Sequence, residues 1–448
     1  MSPYTVVHPP PTLISIGTFL IDAFDTPPRP VIDRNPIPIH PSVSRGTRPP
    51  TPDSPTSSTV PSPPPRPLAA ATQTAPPLLG RSTAAPPPIL TDKRHFIDTP
   101  ISTPTESGCS TPQLQFDEPP PDHPFEYLGG GGLYNLVGAR IFLPDTALKT
   151  LVDRAPGGAD LRDDLKQQIE VFGDMFVWNE GPGTRMTRSR IRYDGDTRLY
   201  HPDIKPPHRK LSDLIGTPLQ QAQYLHVSPP FSSEDVWALQ QEIAKLTSDK
   251  VEGAWAPRLV FEPTPPSCHV GQRIWLEKVS PGLHVLSPNH EELLSFYGHP
   301  KTSTADPLLV ETLENVMLHL LHTIGIGKEG KGILAVRCGR LGSCIGTRSG
   351  GLKWFPAYFS GDEECRVKDV TGAGNAFIGG YVAGLTLTDE DAYEAAVYAT
   401  VAASFVVEQV GLPTMQPSVD GSPELWNGAS PRERVALLRS RWSAAGLL

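Results

Sequence analysis

Apolar positions along this chain change their period several times, and the changes mark out its elements. The run Leu13-Ile14-Ser15-Ile16-Gly17-Thr18-Phe19-Leu20-Ile21 is β-branched and aromatic, with prolines before it and Asp22 after it. It predicts a buried strand that is apolar on both faces, as in a parallel sheet. Beyond His123 short Val/Ile/Leu-rich runs alternate with longer helical stretches. Strands are predicted at Met175–Trp178, Tyr224–Val227, Arg258–Glu262, Leu283–Leu286 and Ile333–Val336. Helices are predicted at Asp160–Phe172, Ser233–Leu246, Pro307–Ile324, Ala373–Leu385, Asp389–Gln409 and Pro431–Ala445. Alternation of this kind implies βαβ units, so an α/β fold with a mostly parallel sheet and helices on both faces. Ligands in such folds bind beyond the carboxyl ends of the strands.

One long segment obeys neither period. The chain has 448 residues and 53 prolines, and about half of those prolines fall between Thr26 and His123, where aromatic residues are almost absent. Such a stretch cannot bury enough apolar surface to offset its ordering entropy. We therefore expect 26–123 to be a disordered Pro/Ser/Thr-rich insertion. Residues 1–25 then carry the first strand, and 124–448 the remainder of the same domain. A structureless connection that long normally argues against an element assignment, but long surface loops cost little closure entropy. Its Pro-x-x-Pro spacings and Ser/Thr-Pro pairs, such as Thr51-Pro52 and Ser54-Pro55, suit adaptor domains or phosphorylation. The plainer expectation is a solvated spacer.

A net charge of −9 gives no electrostatic footprint for nucleic acid or an anionic membrane. Cys109, Cys268, Cys338, Cys344 and Cys365 include no C-x-x-C pair, which suits a reducing compartment and offers no zinc framework. The Leu13–Ile21 run is too short to span a bilayer, and His8 and prolines stand where a signal peptide carries basic residues. The expectation is a soluble, intracellular, cytoplasmic protein with no nucleic-acid or membrane partner.

Candidate chemistry concentrates in Lys368-Asp369-Val370-Thr371-Gly372-Ala373-Gly374-Asn375-Ala376-Phe377. A Gly-Ala-Gly turn that opens a helix converges unpaired N–H groups and the positive dipole end, which is an anion site. The same residues read equally as an ordinary turn with Asn375 as N-cap. Two other patterns are weaker. Gly325-Ile326-Gly327-Lys328-Glu329-Gly330 fits G-x-G-x-x-G, but a helix precedes it and a strand follows, the reverse of a dinucleotide fingerprint. Arg185, Arg188, Arg190, Arg192 and Arg198 suit a solvated strand pair.

Asp-Val-Thr-Gly-Ala-Gly-Asn resembles the carboxy-terminal signature of the ribokinase/pfkB carbohydrate kinase family, Asp-Thr-x-Gly-Ala-Gly-Asp. Further stretches resemble family motifs in the same order: Gly17 to Asp22, Gly129-Gly130-Gly131-Gly132-Leu133-Tyr134-Asn135, Asn289-His290-Glu291-Glu292, Cys338-Gly339-Arg340-Leu341-Gly342, and Ala402-Ala403-Ser404 through Gly411. The likeness extends to a fungal branch, the one containing the yeast protein needed for maintenance of killer-virus double-stranded RNA. It implies a ribokinase-like three-layer sandwich and phosphoryl transfer from ATP to a hydroxyl of a small sugar-like substrate. On the resemblance, Gly372, Ala373 and Gly374 form the anion hole, while Asp22, Gly130, Gly131 and Asn135 hold the acceptor. Asn289, Gly339, Gly342, Ala403 and Gly411 lie on the nucleotide side. Glu292 places Mg²⁺ through water, and Asp369 and Thr371 match a monovalent-cation (K⁺) position of some relatives. Taken simply as residues, Asn289 and Glu292 also read as a helix cap with a first-turn carboxylate.

One departure is consequential. Where the family has the Asp that takes the proton from the attacking hydroxyl, this chain has Asn375. An amide cannot accept that proton at neutral pH. Loss of a general base costs about 10²–10⁴-fold. The expectations are a kinase with another base, a slow kinase, a nucleotide-binding pseudokinase, or a scaffold acting through the Pro-rich insert. If only the base is missing, Asn375→Asp restores it.

Overall fold

The computed structural model describes residues 10–24, 125–194, 197–300, 304–418, 420 and 422–448. The segment expected to be a disordered insertion lies outside the described residues. In chain order the strands of the two larger sheets are β1 (Leu13–Ser15), β2 (Leu20–Phe24), β3 (Phe125–Gly129), β4 (Leu148–Asp153), β5 (Phe176–Asn179), β6 (Thr187–Asp194), β7 (Thr197–Ile204), β8 (Tyr224–Val227), β9 (Arg258–Phe261), β10 (Val285–Leu286), β11 (Ile333–Arg337), β12 (Ser343–Thr347) and β13 (Gly351–Phe355). The helices are α1 (Gly131–Arg140), α2 (Asp163–Val171), α3 (Ser233–Ser248), α4 (Arg273–Val279), α5 (His290–Phe296), α6 (Leu309–Leu318), α7 (Ala373–Leu387), α8 (Ala395–Val406) and α9 (Pro431–Ala444).

The main sheet runs β13-β12-β11-β10-β9-β8-β1-β4-β5. It is parallel from β5 to β11, and the β12–β13 hairpin adds an antiparallel edge. Because side chains alternate along a strand, neighbours face opposite layers. Leu13, Tyr224, Val260, Val285 and Ile333 pack with Leu133, Phe377, Phe405 and Trp442 of α1, α7, α8 and α9. Ile14, Leu225, Leu259, Leu286 and Leu334 pack with Val236, Leu276, Leu293 and Leu313 of α3, α4, α5 and α6. This is the expected ribokinase-like three-layer α/β architecture. No described helix is long and apolar enough to cross a membrane.

The first predicted strand is two strands. The chain leaves the main sheet after Ser15 and re-enters at Leu20 in a second sheet, β3-β2-β6-β7. Gly17 makes the break: a Cβ there would stand 2.0 Å from Ser228 Oγ and 3.1 Å from the Gly132 nitrogen. Both pieces are buried, so periodicity ran through the junction unchanged. Two helices begin later than predicted because side chains organise the preceding turn. Asp160 accepts from the Ala155 and Met186 N–H groups at 2.9 and 2.7 Å, so α2 starts at Asp163. Asp391 accepts from Tyr393 and Glu394 at 2.9 Å each, and α8 starts at Ala395. Of the arginine cluster, Arg188, Arg190, Arg192 and Arg198 lie in a strand pair, β6–β7, where Arg190 faces Asp203 at 3.6 Å, and Arg185 precedes it. Gly325–Gly330 is a helix-to-strand turn, with Gly325, Gly327 and Gly330 all at positive φ.

β2 and β3 pair antiparallel with Phe24 opposite Phe125. Residues 25–124 therefore leave and return at adjacent points of one hairpin. Two-residue turns close such hairpins, and shortening a loop about fiftyfold removes a few kcal/mol of closure entropy at most. Replacing 25–124 by Asn-Gly should leave the melting temperature unchanged or slightly raised in a thermal melt. A drop of ten degrees or an insoluble product would show that the segment stabilises the rest.

Candidate functional site

The carboxyl ends of the parallel strands bring charged and polar side chains to one place. Ser15 ends β1, His226 lies in β8, Glu262 follows β9, Ser287 follows β10, and Arg337 ends β11. Ser15 Oγ and His226 Nδ1 lie 3.0 Å apart. His226 Nε2 stands 3.5 Å from Glu262 Oε2. The Asn375 side-chain amide donates to that same oxygen at 2.6 Å. Arg337 Nη1 pairs with Glu262 Oε1 at 2.8 Å, and its Nη2 donates to the Ser287 carbonyl at 2.9 Å and faces Glu292 Oε2 at 3.4 Å.

Glu262 is almost wholly buried. Burial raises its carboxyl, but Arg337, His226 and the Asn375 amide outweigh burial and hold it below the usual carboxylate range. Glu292, also buried, goes the other way. Burial pushes it up to about 7, against the pull of Arg337 and the Asn289 N–H and with the help of the Glu262 and Glu291 charges. Desolvation dominates where no strong ion pair answers it.

The first turn of α7 rises beside this cluster. Gly372 has φ +78, and a Cβ on it would strike the Tyr134 ring at 2.4 Å, so glycine is required here. The N–H groups of Gly374 and Asn375 lie at the helix start, without intrahelical carbonyls to bond. A Cβ on Gly374 would stand 2.2 Å from Arg337 Nη1, so the guanidinium lies against this turn.

A cavity of about 650 Å³ opens over the turn, within the range of small-molecule sites. Of the residues assigned from sequence, Gly131, Asn289, Glu292, Gly339, Gly342, Gly372, Ala373, Gly374, Asn375 and Ala403 line it. Others do not. Gly130, at φ +102, caps α1 just outside. Asn135 is fully buried within α1, and its amide lies 3.5 Å from the Asn375 carbonyl, behind the site rather than facing it. Asp22 sits in the second sheet and accepts from Ser189 Oγ. Gly411, at φ +82, packs near Tyr127. Asp369 Oδ1 accepts from both the N–H and the hydroxyl of Thr371, at 3.0 and 2.8 Å. A second space of about 20 Å³, bordered by Ser15, Thr18, Asp153, Thr187 and Arg209, holds little more than one water.

Sequence reasoning did not single out Ser15, His226, Glu262 or Arg337. The signal available was a charged residue at the carboxyl end of an apolar strand, at Glu262 and again at Arg337.

The divalent cation implied at Glu292 does not fit these donors. Asn289 Oδ1 accepts from the Glu292 N–H, and Glu292 Oε2 from the Asn289 N–H, each at 2.8 Å, as a helix capping box. The space between Glu262 and Glu292 already contains the Arg337 guanidinium. Among the described residues no group of three or more His, Cys, Asp or Glu is placed to hold a metal ion.

The pfkB family carbohydrate kinase profile matches residues 200–418. An uncharacterized protein of Schizosaccharomyces pombe is 26% identical over 323 residues, covering 69% of this chain and 85% of its own. Protein MAK32 of Saccharomyces cerevisiae is 25% identical over 330 residues, covering 70% and 85%. The ribokinase of Giardia lamblia is similar over 73% of this chain and 92% of its own, at 19% identity and a TM-score of 0.49. Residues 200–418 therefore carry the pfkB carbohydrate kinase match, and the chain as a whole is similar to these two fungal relatives.

Proposed function

We propose that the protein binds ATP in the 650 Å³ cavity and transfers its terminal phosphoryl group to a hydroxyl of a small sugar-like acceptor. The observation that carries this reading is the α7 glycine turn opening directly into that cavity. Its N–H groups suit the charge on the moving phosphoryl oxygens. Ala403 on α8 and Gly339 and Gly342 after β11 line the same space and are assigned to the nucleoside side. Gly131, which lines the cavity, and Gly130 beside it are assigned to the acceptor, together with Asp22 of the second sheet. The Asp369 and Thr371 oxygens are of the hard type that suits K⁺. Adaptor domains are the partners proposed for the Pro-rich segment.

The test is calorimetric titration with ATP, then with ATP plus sugars and nucleosides. Wild-type protein should bind, and Gly374→Val should abolish binding. Its side chain would displace Arg337 and block the close approach of an anion to the backbone. No heat of binding in the wild type would sink the nucleotide reading.

One observation favours a second reading. The first turn of α7 carries no carboxylate, and the Asn375 amide is spent on Glu262. That arrangement also suits a protein that holds nucleotide without transferring phosphate. Saturable binding with no turnover across the acceptor screen would favour it.

A further inference from the structure

Two buried carboxylates with a cation between them is how a phosphate site commonly holds a divalent metal ion. Here the cation is part of the chain. We propose that Arg337 supplies the positive charge a divalent ion would bring to bound phosphates, so that ATP binds at the α7 turn without a divalent cation. The inference rests on the nucleotide reading above and goes beyond it.

Three features of Arg337 support it. Its position is right, since Nη1 lies 2.2 Å from where a Gly374 Cβ would stand, on the turn whose N–H groups await an anion. It is held in place, by Glu262 at 2.8 Å, the Ser287 carbonyl at 2.9 Å and Glu292 at 3.4 Å. It is also open to a ligand, because Arg337 lines the cavity over the α7 turn. A guanidinium is charged at every physiological pH and presents a planar fork that matches phosphate oxygens. A second cation placed between Glu262 and Glu292 would meet this fixed charge at close range.

Glu262 thereby has a clear part. It fixes Arg337 with one oxygen and takes the Asn375 amide with the other. Paired with Arg337, Glu262 does not meet an entering phosphate chain as an uncompensated carboxylate.

The experiment is ATP binding by calorimetry, in magnesium and in EDTA, on the full chain. The wild type should bind ATP with affinities within about threefold in the two conditions, a difference under 1 kcal/mol. Arg337→Met combined with Glu262→Gln removes the pair together, so no charge is left buried alone. This variant should lose about tenfold or more in EDTA and regain affinity with magnesium. Wild-type binding that weakens about tenfold or more in EDTA overturns the proposal while leaving the nucleotide reading intact. So does a folded double variant that binds ATP in EDTA as tightly as the wild type. If the double variant does not fold, the wild-type comparison alone decides. Absence of ATP binding in both conditions overturns the nucleotide reading itself, and the inference with it.

Discussion

Asn375→Asp alone should weaken the protein and bring little activity, whereas Asn375→Asp with Glu262→Gln should restore stability and raise ATP turnover. The sequence by itself led to the opposite expectation for the single change, a simple gain of the missing base. The structure explains the reversal. Asn375 donates to Glu262 Oε2 at 2.6 Å, and Glu262 is buried and held ionised. A carboxylate at 375 would face another at hydrogen-bond distance, and two such groups cannot both stay charged. One must keep a proton, with its folded-state pKa raised above the unfolded value. Forcing both carboxyls to ionise in this buried place costs about 3–4 kcal/mol once pH exceeds the raised value. The sign follows: the folded single variant binds the extra proton, so its stability recovers as pH falls towards 5 and is worst near pH 8. The double variant exchanges carboxylate and amide across the same hydrogen bond. It places a proton acceptor on the first turn of α7, and turnover should rise by about one to three decades. The helix dipole lowers the new group's basicity, which favours the smaller gain. Thermal melts at pH 5 and 8 and a phosphate-release assay read both effects. A single variant that is faster and no less stable would show that Glu262 is not the charged partner of residue 375.

Gly379→Ala should be the most damaging single methyl in the domain. Alanine usually improves a helix by about 1 kcal/mol over glycine, but here the sign inverts. An added Cβ would stand 1.7 Å from the Asn135 carbonyl and 2.9 Å from the Ala139 nitrogen, both backbone of α1. From the other helix, a Cβ on Gly138 would stand 2.2 Å from the Ala376 carbonyl. The two helices touch through their main chains, so neither side can yield by changing a rotamer. Overpacking of this kind costs about 1–3 kcal/mol, occasionally more, and we expect the upper part of that range. α1 also brings Asn135 to the Asn375 carbonyl, so ATP affinity should fall together with the melting temperature. Unchanged affinity and stability would show that α1 and α7 separate without cost.

The layers of the fold were legible in the sequence because buried parallel strands and amphipathic helices have different periods. Tyr224–Val227 was placed to the residue. What was not legible has a shared cause. Gly17 interrupts an apolar run without changing its composition, so one predicted strand became two in different sheets. The α7 turn could be read because its glycines are local in sequence. Glu262 and Arg337 could not, because each acquires its meaning only when β9 and β11 are laid beside α7. The likeness to family motifs placed residues near the site without showing which face it: Asn289 and Ala403 line the cavity, and Asn135 stands behind it.

β1 lies in the interior of the main sheet, between β8 and β4, and its Leu13 and Ile14 are completely buried. The chain returns from that strand to the rest of the domain only through residues 25–124. A single cut inside that span would therefore make two chains without removing any strand from the sheet. The shorter would remain threaded between its neighbours by backbone hydrogen bonds on both sides. Severed in that way, the protein would become a noncovalent heterodimer that survives gel filtration and separates only on denaturation.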